Sequence, residues 1–229
     1  MAGQIIIVSG TSGAGKSTTC ELLAKRSDDF VLLFGIDQFL SGNYPAKFSQ
    51  HGPRASEGIY AHPVDKNDPD GPLRWSFGEK GWQAIHTLHE WIAAASREGC
   101  NIVLDHLMMT DPPVLQDCIW RLKGLPVLFV SLKPPFEVLV ERVATRTMDK
   151  KVPAVEIYGE EGLKRAVERL RRLRPWFYET VYANDCYDLE IDTVKHAPVE
   201  VCALIEQRLA EGPGTAFDEL RVRYPMSSA

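Results

Sequence analysis

The sequence has little of what marks several large classes of protein. No apolar run approaches the roughly 18 residues that a membrane span needs, and the N-terminus leads straight into an apolar strand, so we expect neither a membrane helix nor a signal peptide. The five cysteines form no C-x-x-C pair, which argues against a zinc site or a disulfide frame and favours a reducing, cytoplasmic location. The net charge of -5 argues against nonspecific nucleic-acid binding, which depends on basic surface.

What the sequence does have is a glycine-rich turn directly after its first apolar run. Residues 5–8 are Ile-Ile-Ile-Val, typical of a strand buried on both faces. Gly10-x-x-x-x-Gly15-Lys16-Ser17 follows, which is the P-loop pattern. The glycines let the backbone turn its N–H groups toward phosphate oxygens, and the start of the next helix adds a positive field. The sequence therefore predicts a nucleoside triphosphate site.

The P-loop pattern also assigns roles to individual residues. Lys16 is expected to reach the β and γ phosphates, and the Ser17 hydroxyl to coordinate Mg²⁺. The remaining predicted nucleotide-binding residues belong to the same loop and to the first helical turn after it: Gly10, Thr11, Ser12, Gly13, Ala14, Gly15 and Thr18.

Two carboxylates follow later apolar runs of strand length. Asp37 comes just after residues 30–35, and Asp105 ends the run 101–105. Because ligands of open α/β sheets bind beyond the carboxyl ends of the strands, both carboxylates are predicted near the P-loop. Asp37 is a candidate to deprotonate or orient an acceptor hydroxyl, with capping of a short helix as the alternative. Asp105 is a candidate Mg²⁺ ligand, whereas His106 beside it is interpreted as a structural histidine.

The segment between these two carboxylates carries turn residues rather than a periodic pattern. Residues 41–75 are predicted to be a long loop that covers the acceptor pocket, since compact domains rarely hold such loops without a function. Ser76 and Glu79 have capping-box spacing and predict the start of a long helix.

The second half of the chain supplies basic residues near a predicted lid. Arg142 and Arg146 share one helix face and are candidates to neutralise charge on the transferred phosphoryl group. Residues 148–162 predict a flexible connection. A further helix is then expected, with Val167, Leu170 and Leu173 inward and a basic outer face.

The order of elements predicts one α/β domain over residues 1–212, with helices on both faces of a five-stranded parallel sheet. Residues 41–75 form its insertion and 146–175 its helical lid. Residues 187–193 alternate polar and apolar side chains as the fifth strand, at an edge of the sheet. Residues 213–229 are expected to be a C-terminal tail.

These pieces together resemble the chloramphenicol phosphotransferase-like family of P-loop kinases. The resemblance lies in the P-loop, in Phe34-Gly35-Ile36-Asp37, in the Trp82 helix that leads into 102–106, and in residues 130–146 and 187–193. It implies a P-loop NTPase fold with strand order 2-3-1-4-5 and ATP- and Mg²⁺-dependent phosphorylation of a small-molecule hydroxyl, in the namesake the antibiotic chloramphenicol. It also implies Asp37 as the catalytic aspartate, Arg142 and Arg146 as lid arginines, and a loop from Thr193 against adenine.

The sequence departs from the family pattern in residues 41–75 and in about twenty extra lid residues, so the antibiotic itself is not carried over. A metabolite or nucleoside kinase of the shikimate or adenylate kinase type is one alternative. A regulatory NTPase is another, although no Asn-Lys-x-Asp guanine motif occurs. A nucleic-acid end kinase using the basic helix is disfavoured by the acidic net charge.

Overall fold

A central parallel sheet organises the protein. The computed structural model describes residues 1–50, 52–149 and 151–226, and all of their side chains except those of residues 144–163 and 166. The sheet strands are β1 (Ile5–Ser9), β2 (Val31–Gly35), β5 (Asn101–His106), β6 (Val127–Leu132) and β7 (Leu189–Ile191). They lie in the order β2-β5-β1-β6-β7, and every neighbouring pair is parallel.

Helices cover both faces of this sheet, as predicted. They are α1 (Lys16–Arg26), α2 (Ile36–Gly42), α3 (Glu79–Arg97), α4 (Val114–Arg121), α5 (Phe136–Asp149), α6 (Lys151–Tyr182), α7 (Pro198–Ala210) and α8 (Ala216–Arg223). Alternate β1 residues face opposite sides, with Ile5 and Ile7 in one hydrophobic cluster and Ile6 and Val8 in the other. The first cluster packs against α3, α4, α6 and α8, and the second against α1 and α7.

The predicted fold is confirmed, with one addition. When only the five strands of this sheet are numbered along the chain, their order is 2-3-1-4-5, as expected. Strand β7 is an edge strand, also as expected. The addition is a separate antiparallel hairpin of β3 (Ile59–Pro63) and β4 (Leu73–Phe77), which shifts the numbering of the later strands.

This hairpin lies within residues 41–75, so the prediction of a long irregular loop there is wrong. Two short 3₁₀ helices, Ala46–Phe48 and Ala55–Glu57, precede it. The Trp75 side chain is buried and meets the ring of Phe177 edge-on at 4.8 Å, which packs the hairpin against α6. The many turn residues in this segment obscure the pattern of its two five-residue strands. The apolar side chains that these strands contact, such as Phe177, are distant in sequence.

The predicted capping box is also wrong. Ser76 lies inside β4, and its hydroxyl pairs with His62 Nε2 at 2.8 Å across the hairpin. Helix α3 begins at Glu79 with Gly78 at its N-cap. Strand pairing thus removes the serine from the position that its spacing to Glu79 predicts.

Two further boundaries differ from prediction. Helices α5 and α6 extend into residues 148–162, where a flexible connection was expected; Pro153 falls in the first turn of α6, where its missing N–H is tolerated. At the other end, Phe217 and Leu220 of α8 are buried in the main core, so the domain continues past residue 212 and most of the predicted tail belongs to it.

Candidate active site

The P-loop adopts the strand–loop–helix arrangement that its sequence predicts. Strand β1 is buried along its whole length, and α1 begins at Lys16. Gly13 and Gly15 have φ angles of 88° and 100°, a region that side-chain-bearing residues rarely occupy. A Cβ atom at Gly13 would also lie 3.0 Å from Val143 Cγ2. The loop therefore needs glycine here both for its backbone conformation and for its contact with α5.

Lys16 turns back over the loop that precedes it. Its Nζ lies 3.4 Å from the carbonyl oxygen of Thr11 and 3.5 Å from Asp105 Oδ1. The residue is only 8% exposed, so its charge acts in an environment with little water to screen it. An ammonium group held across the mouth of a nest of backbone N–H groups is suited to phosphate oxygens.

Asp105 joins the P-loop side chains to the neighbouring strand. Parallel pairing sets Asp105 opposite Val8 of β1, one residue before that strand ends. The Ser17 hydroxyl donates to Asp105 Oδ2 at 2.7 Å, so both predicted metal ligands meet at one point. A hydroxyl and a carboxylate supply the oxygen ligands that Mg²⁺ prefers, with phosphate oxygens and water completing its octahedron. Among the described residues no group of three or more His, Cys, Asp or Glu forms a metal site by itself.

Asp37 lies at the same edge of the sheet. It is exposed in the first turn of α2, directly after β2, whose Gly35 pairs with Asp105. Asp37 helps to line a cavity of about 60 Å³ together with Ser17 and Asp105. The N-cap of α2 is Gly35, with no side-chain capping bond, so the alternative that Asp37 merely caps the helix finds no support.

Arg142 lies between the P-loop and the loop after β7. Its guanidinium donates to Thr193 Oγ1 at 2.8 Å, to the Thr193 carbonyl at 2.9 Å and to the Gly13 carbonyl at 3.4 Å. Thr193 in turn donates to the Ala14 carbonyl at 3.1 Å. Arg142 thus ties the loop after β7 to the back of the P-loop. The side chain of Arg146, like those of most residues of the predicted lid, lies outside the described part of the structure.

Helix α6 turns two of its basic residues toward the insertion, whereas Lys164, Arg165 and Arg171 are exposed as predicted. Arg169 donates to the Gln50 carbonyl at 3.0 Å, and Arg172 to the Gly71 carbonyl at 2.8 Å, both in the insertion. Val167 and Leu170, which were predicted to face the core, are 37% and 42% exposed, whereas Leu173 is buried as expected. Helix α6 therefore binds the insertion through guanidinium donors. The helical periodicity of its sequence does not predict these contacts.

A buried histidine pair lies behind Asp105. His106 Nε2 is 3.2 Å from His89 Nε2, and His89 Nδ1 is 2.6 Å from Asp117 Oδ2. Burial lowers the pKa of His106 to about 3, with the nearby His89 as a lesser cause, so His106 is neutral at physiological pH. Burial likewise lowers the pKa of His89, and the Asp117 carboxylate opposes that shift. This network joins α3, α4 and β5, in keeping with the structural interpretation of His106.

One contact of the P-loop had no signal in the sequence. The hydroxyl of Tyr182, at the end of α6, lies 3.2 Å from the Thr11 backbone nitrogen. The two residues are 171 positions apart, and nothing in either local pattern indicates that they meet.

Strand order, P-loop and the adjoining carboxylates define the class of the P-loop kinases. The family model described as chloramphenicol phosphotransferase-like protein matches residues 3–210, and the chain belongs to this family. A comparison with curated proteins found no match.

Comparison with solved structures agrees on the fold. The Mycobacterium tuberculosis APS kinase CysC, in complex with AMPPNP and APS, is 12% identical with a TM-score of 0.56, over 91% of this chain and 98% of that chain. The crystal structure of APE1195 is 14% identical with a TM-score of 0.50, over 91% of this chain and 96% of that chain. At such identities the likeness shows the fold alone. Within the described residues, no helix combines the length and apolar character that a membrane crossing requires.

Proposed function

We propose that this protein transfers the γ-phosphoryl group of ATP to a hydroxyl of a small molecule. The observation that carries the proposal is the cavity in which Asp37 meets Ser17 and Asp105. An exposed carboxylate in front of a phosphate-binding loop is where a phosphotransferase needs its acceptor-side group.

The donor half of the reaction falls to the P-loop. Backbone N–H groups of the P-loop, other than that of Thr11, which donates to Tyr182, hold the phosphates, and Lys16 neutralises charge on the β and γ groups. Ser17 and Asp105 hold Mg²⁺, which when bound to ATP shields the phosphate oxygens and draws charge from the bond that breaks. The Ser17–Asp105 hydrogen bond of 2.7 Å supports this assignment, because the two side-chain oxygens already lie side by side.

The acceptor half falls to Asp37. In the proposed step the acceptor oxygen bonds to the γ-phosphorus, the bond from that phosphorus to the bridging oxygen of ADP breaks, and the hydroxyl proton passes to Asp37. The cavity of about 60 Å³ admits the reacting groups but not a whole acceptor. The rest of the acceptor must therefore lie beyond it, and we place it beneath the insertion formed by residues 41–75.

Arg142 is better suited to holding the nucleotide than to following the moving phosphoryl group. Its bonds to the Thr193 and Gly13 carbonyls fix the two loops between which the adenine end of ATP would lie. Arg146 stays our candidate for a lid arginine that stabilises the transferred group. The five free cysteines favour a reducing, cytoplasmic setting for this enzyme.

The test is a screen for an acceptor. Purified protein with Mg²⁺ and ATP is incubated with hydroxylated antibiotics, nucleosides, sugars and shikimate-like metabolites, while ADP release and the mass of each compound are followed. We expect compounds of one of these classes to be phosphorylated by the wild type. The Lys16→Ala variant should give no phosphorylated product. ATP consumption that yields only free phosphate with every compound would favour a regulatory NTPase and contradict the proposal.

A further inference from the structure

Tyr182 joins the P-loop to the end of the neighbouring strand. Its hydroxyl accepts from the Thr11 N–H at 3.2 Å and donates to the Leu132 carbonyl at 2.6 Å. Thr11 is 2% exposed, so this N–H has no access to water and needs a protein acceptor. Burial raises the pKa of Tyr182 to about 12, against the opposing effect of Thr11, which keeps the donating proton in place at physiological pH.

The backbone of the P-loop leaves room for this hydroxyl. A Cβ atom at Gly10 would lie 2.7 Å from the Leu132 carbonyl oxygen and 3.3 Å from the Tyr182 hydroxyl. The first bend of the P-loop is therefore packed directly against the Tyr182–Leu132 hydrogen bond. A shift of the Tyr182 side chain would therefore disturb the start of the P-loop at Gly10.

Helix α6, which ends in Tyr182, also contacts the insertion. Arg169 and Arg172 donate to carbonyls of residues 50 and 71, and Phe177 packs on Trp75 of the hairpin. Thr180 exchanges hydrogen bonds of 2.8 Å with the Asp111 backbone, and Asp111 pairs with Arg74 of β4 at 3.5 Å. From Arg169 to Tyr182 the helix spans about 20 Å. One continuous helix, with Pro175 between these contacts, thus touches both the insertion and the P-loop.

We propose that Tyr182 is a positioning residue that couples the P-loop to the hairpin β3–β4 through helix α6. The proposal rests on nucleotide binding at the P-loop, which is part of the proposed function. When the P-loop becomes ordered around phosphates, the hydrogen bond from the Thr11 N–H to Tyr182 restrains the end of α6. Helix α6 in turn restrains the hairpin, which we place over the acceptor pocket. Coupling of this kind is reciprocal, so an occupied acceptor pocket also tightens the nucleotide site.

Hydrogen exchange with AMPPNP and Mg²⁺ tests the coupling without an acceptor. In the wild type we expect nucleotide to slow exchange in the P-loop and also in residues 59–77. In Tyr182→Phe, which keeps the ring, AMPPNP should bind about three- to tenfold more weakly. Slowed exchange should then be confined to the P-loop. The matched control is Tyr178→Phe, one turn earlier, whose hydroxyl has no hydrogen-bond partner among the described residues; it should behave as wild type.

A second variant addresses the other end of the helix. Arg172→Ala removes the bond to the Gly71 carbonyl, and we expect nucleotide to slow exchange in the P-loop as before but to slow it less in the hairpin, which keeps its contacts with Arg169 and Phe177. The Arg172→Ala variant tests the coupling even if Tyr182→Phe fails to fold. Wild-type affinity and a wild-type exchange pattern in Tyr182→Phe would overturn the proposal, as would an undisturbed hairpin response in Arg172→Ala. Normal AMPPNP coupling without phosphotransfer would overturn the proposed function alone.

Discussion

The guanidinium of Arg142 makes three hydrogen bonds to residues that flank the nucleotide site. Two go to Thr193, and the third reaches the Gly13 carbonyl. A planar guanidinium can hold two acceptors at once, which a lysine ammonium on a flexible stem does not reproduce. The residue is thus placed to keep two loops at a fixed separation, whether or not a phosphoryl group is moving.

For Arg142→Lys we expect the KM for ATP to rise by about three- to tenfold, because one or two hydrogen bonds are lost. We expect kcat to stay within about twofold, since Asp37, the proposed acceptor-side group, is untouched. Steady-state kinetics at varied ATP measure both values, with exposed Arg97→Lys on α3 as the control. A fall in kcat with an unchanged KM would instead restore the lid role that the sequence predicts.

His89 makes the stability of the protein depend on pH. Burial lowers its pKa below the ordinary value of 6.5. Above that value both the folded and the unfolded chain carry neutral His89. Below it the unfolded chain binds a proton that the folded chain does not, so the free energy of unfolding falls as the pH falls.

From about pH 7.5 to about pH 5.5 the free energy of unfolding therefore falls, because only the unfolded chain gains this proton. His89→Gln, which can still donate to Asp117, should show a flatter dependence, although buried His106 keeps part of the slope. Urea unfolding at both pH values measures this, with partly exposed His196→Gln as the control. Equal slopes for the wild type and His89→Gln would refute the assignment.

At the scale of elements, local patterns predicted some boundaries and failed at others for physical reasons. The P-loop turn depends on glycines and a helix start that are contiguous in sequence, so it could be read directly. The role of Ser76 could not, because its hydroxyl is taken by His62 across a hairpin. A capping box and a strand residue look alike until strand pairing is known.

Helix α6 shows the same limit on a larger element. Its apolar spacing correctly places Leu173 in the core but not Leu170, which is 42% exposed. Arg169 and Arg172 turn toward carbonyls of the insertion, more than 100 residues earlier in the chain. Backbone carbonyls outside helices and strands need hydrogen-bond donors, and only the tertiary fold reveals which of them lie within reach of an arginine.

At the scale of the whole molecule, parallel sheet topology brings the site together. Strand order sets β2 and β1 on either side of β5, so residues after three different strands meet at one edge: Asp37, Asp105 and the P-loop. Asp37 and Asp105 could be predicted at this edge because each follows an apolar run of strand length. The meeting of Arg142 with Thr193, or of Tyr182 with Thr11, could not, since each pair joins distant helices and loops.

The central claim is that Asp37 serves transfer to the acceptor and not the binding of ATP. The most direct measurement compares Asp37→Asn with the wild type for AMPPNP affinity and for phosphorylation of the acceptor found by screening. Asp28→Asn, an exposed aspartate before β2, controls for the loss of one charge. We predict about 10²- to 10⁴-fold slower phosphotransfer in Asp37→Asn with near wild-type AMPPNP affinity. Unchanged turnover in that variant would contradict the account.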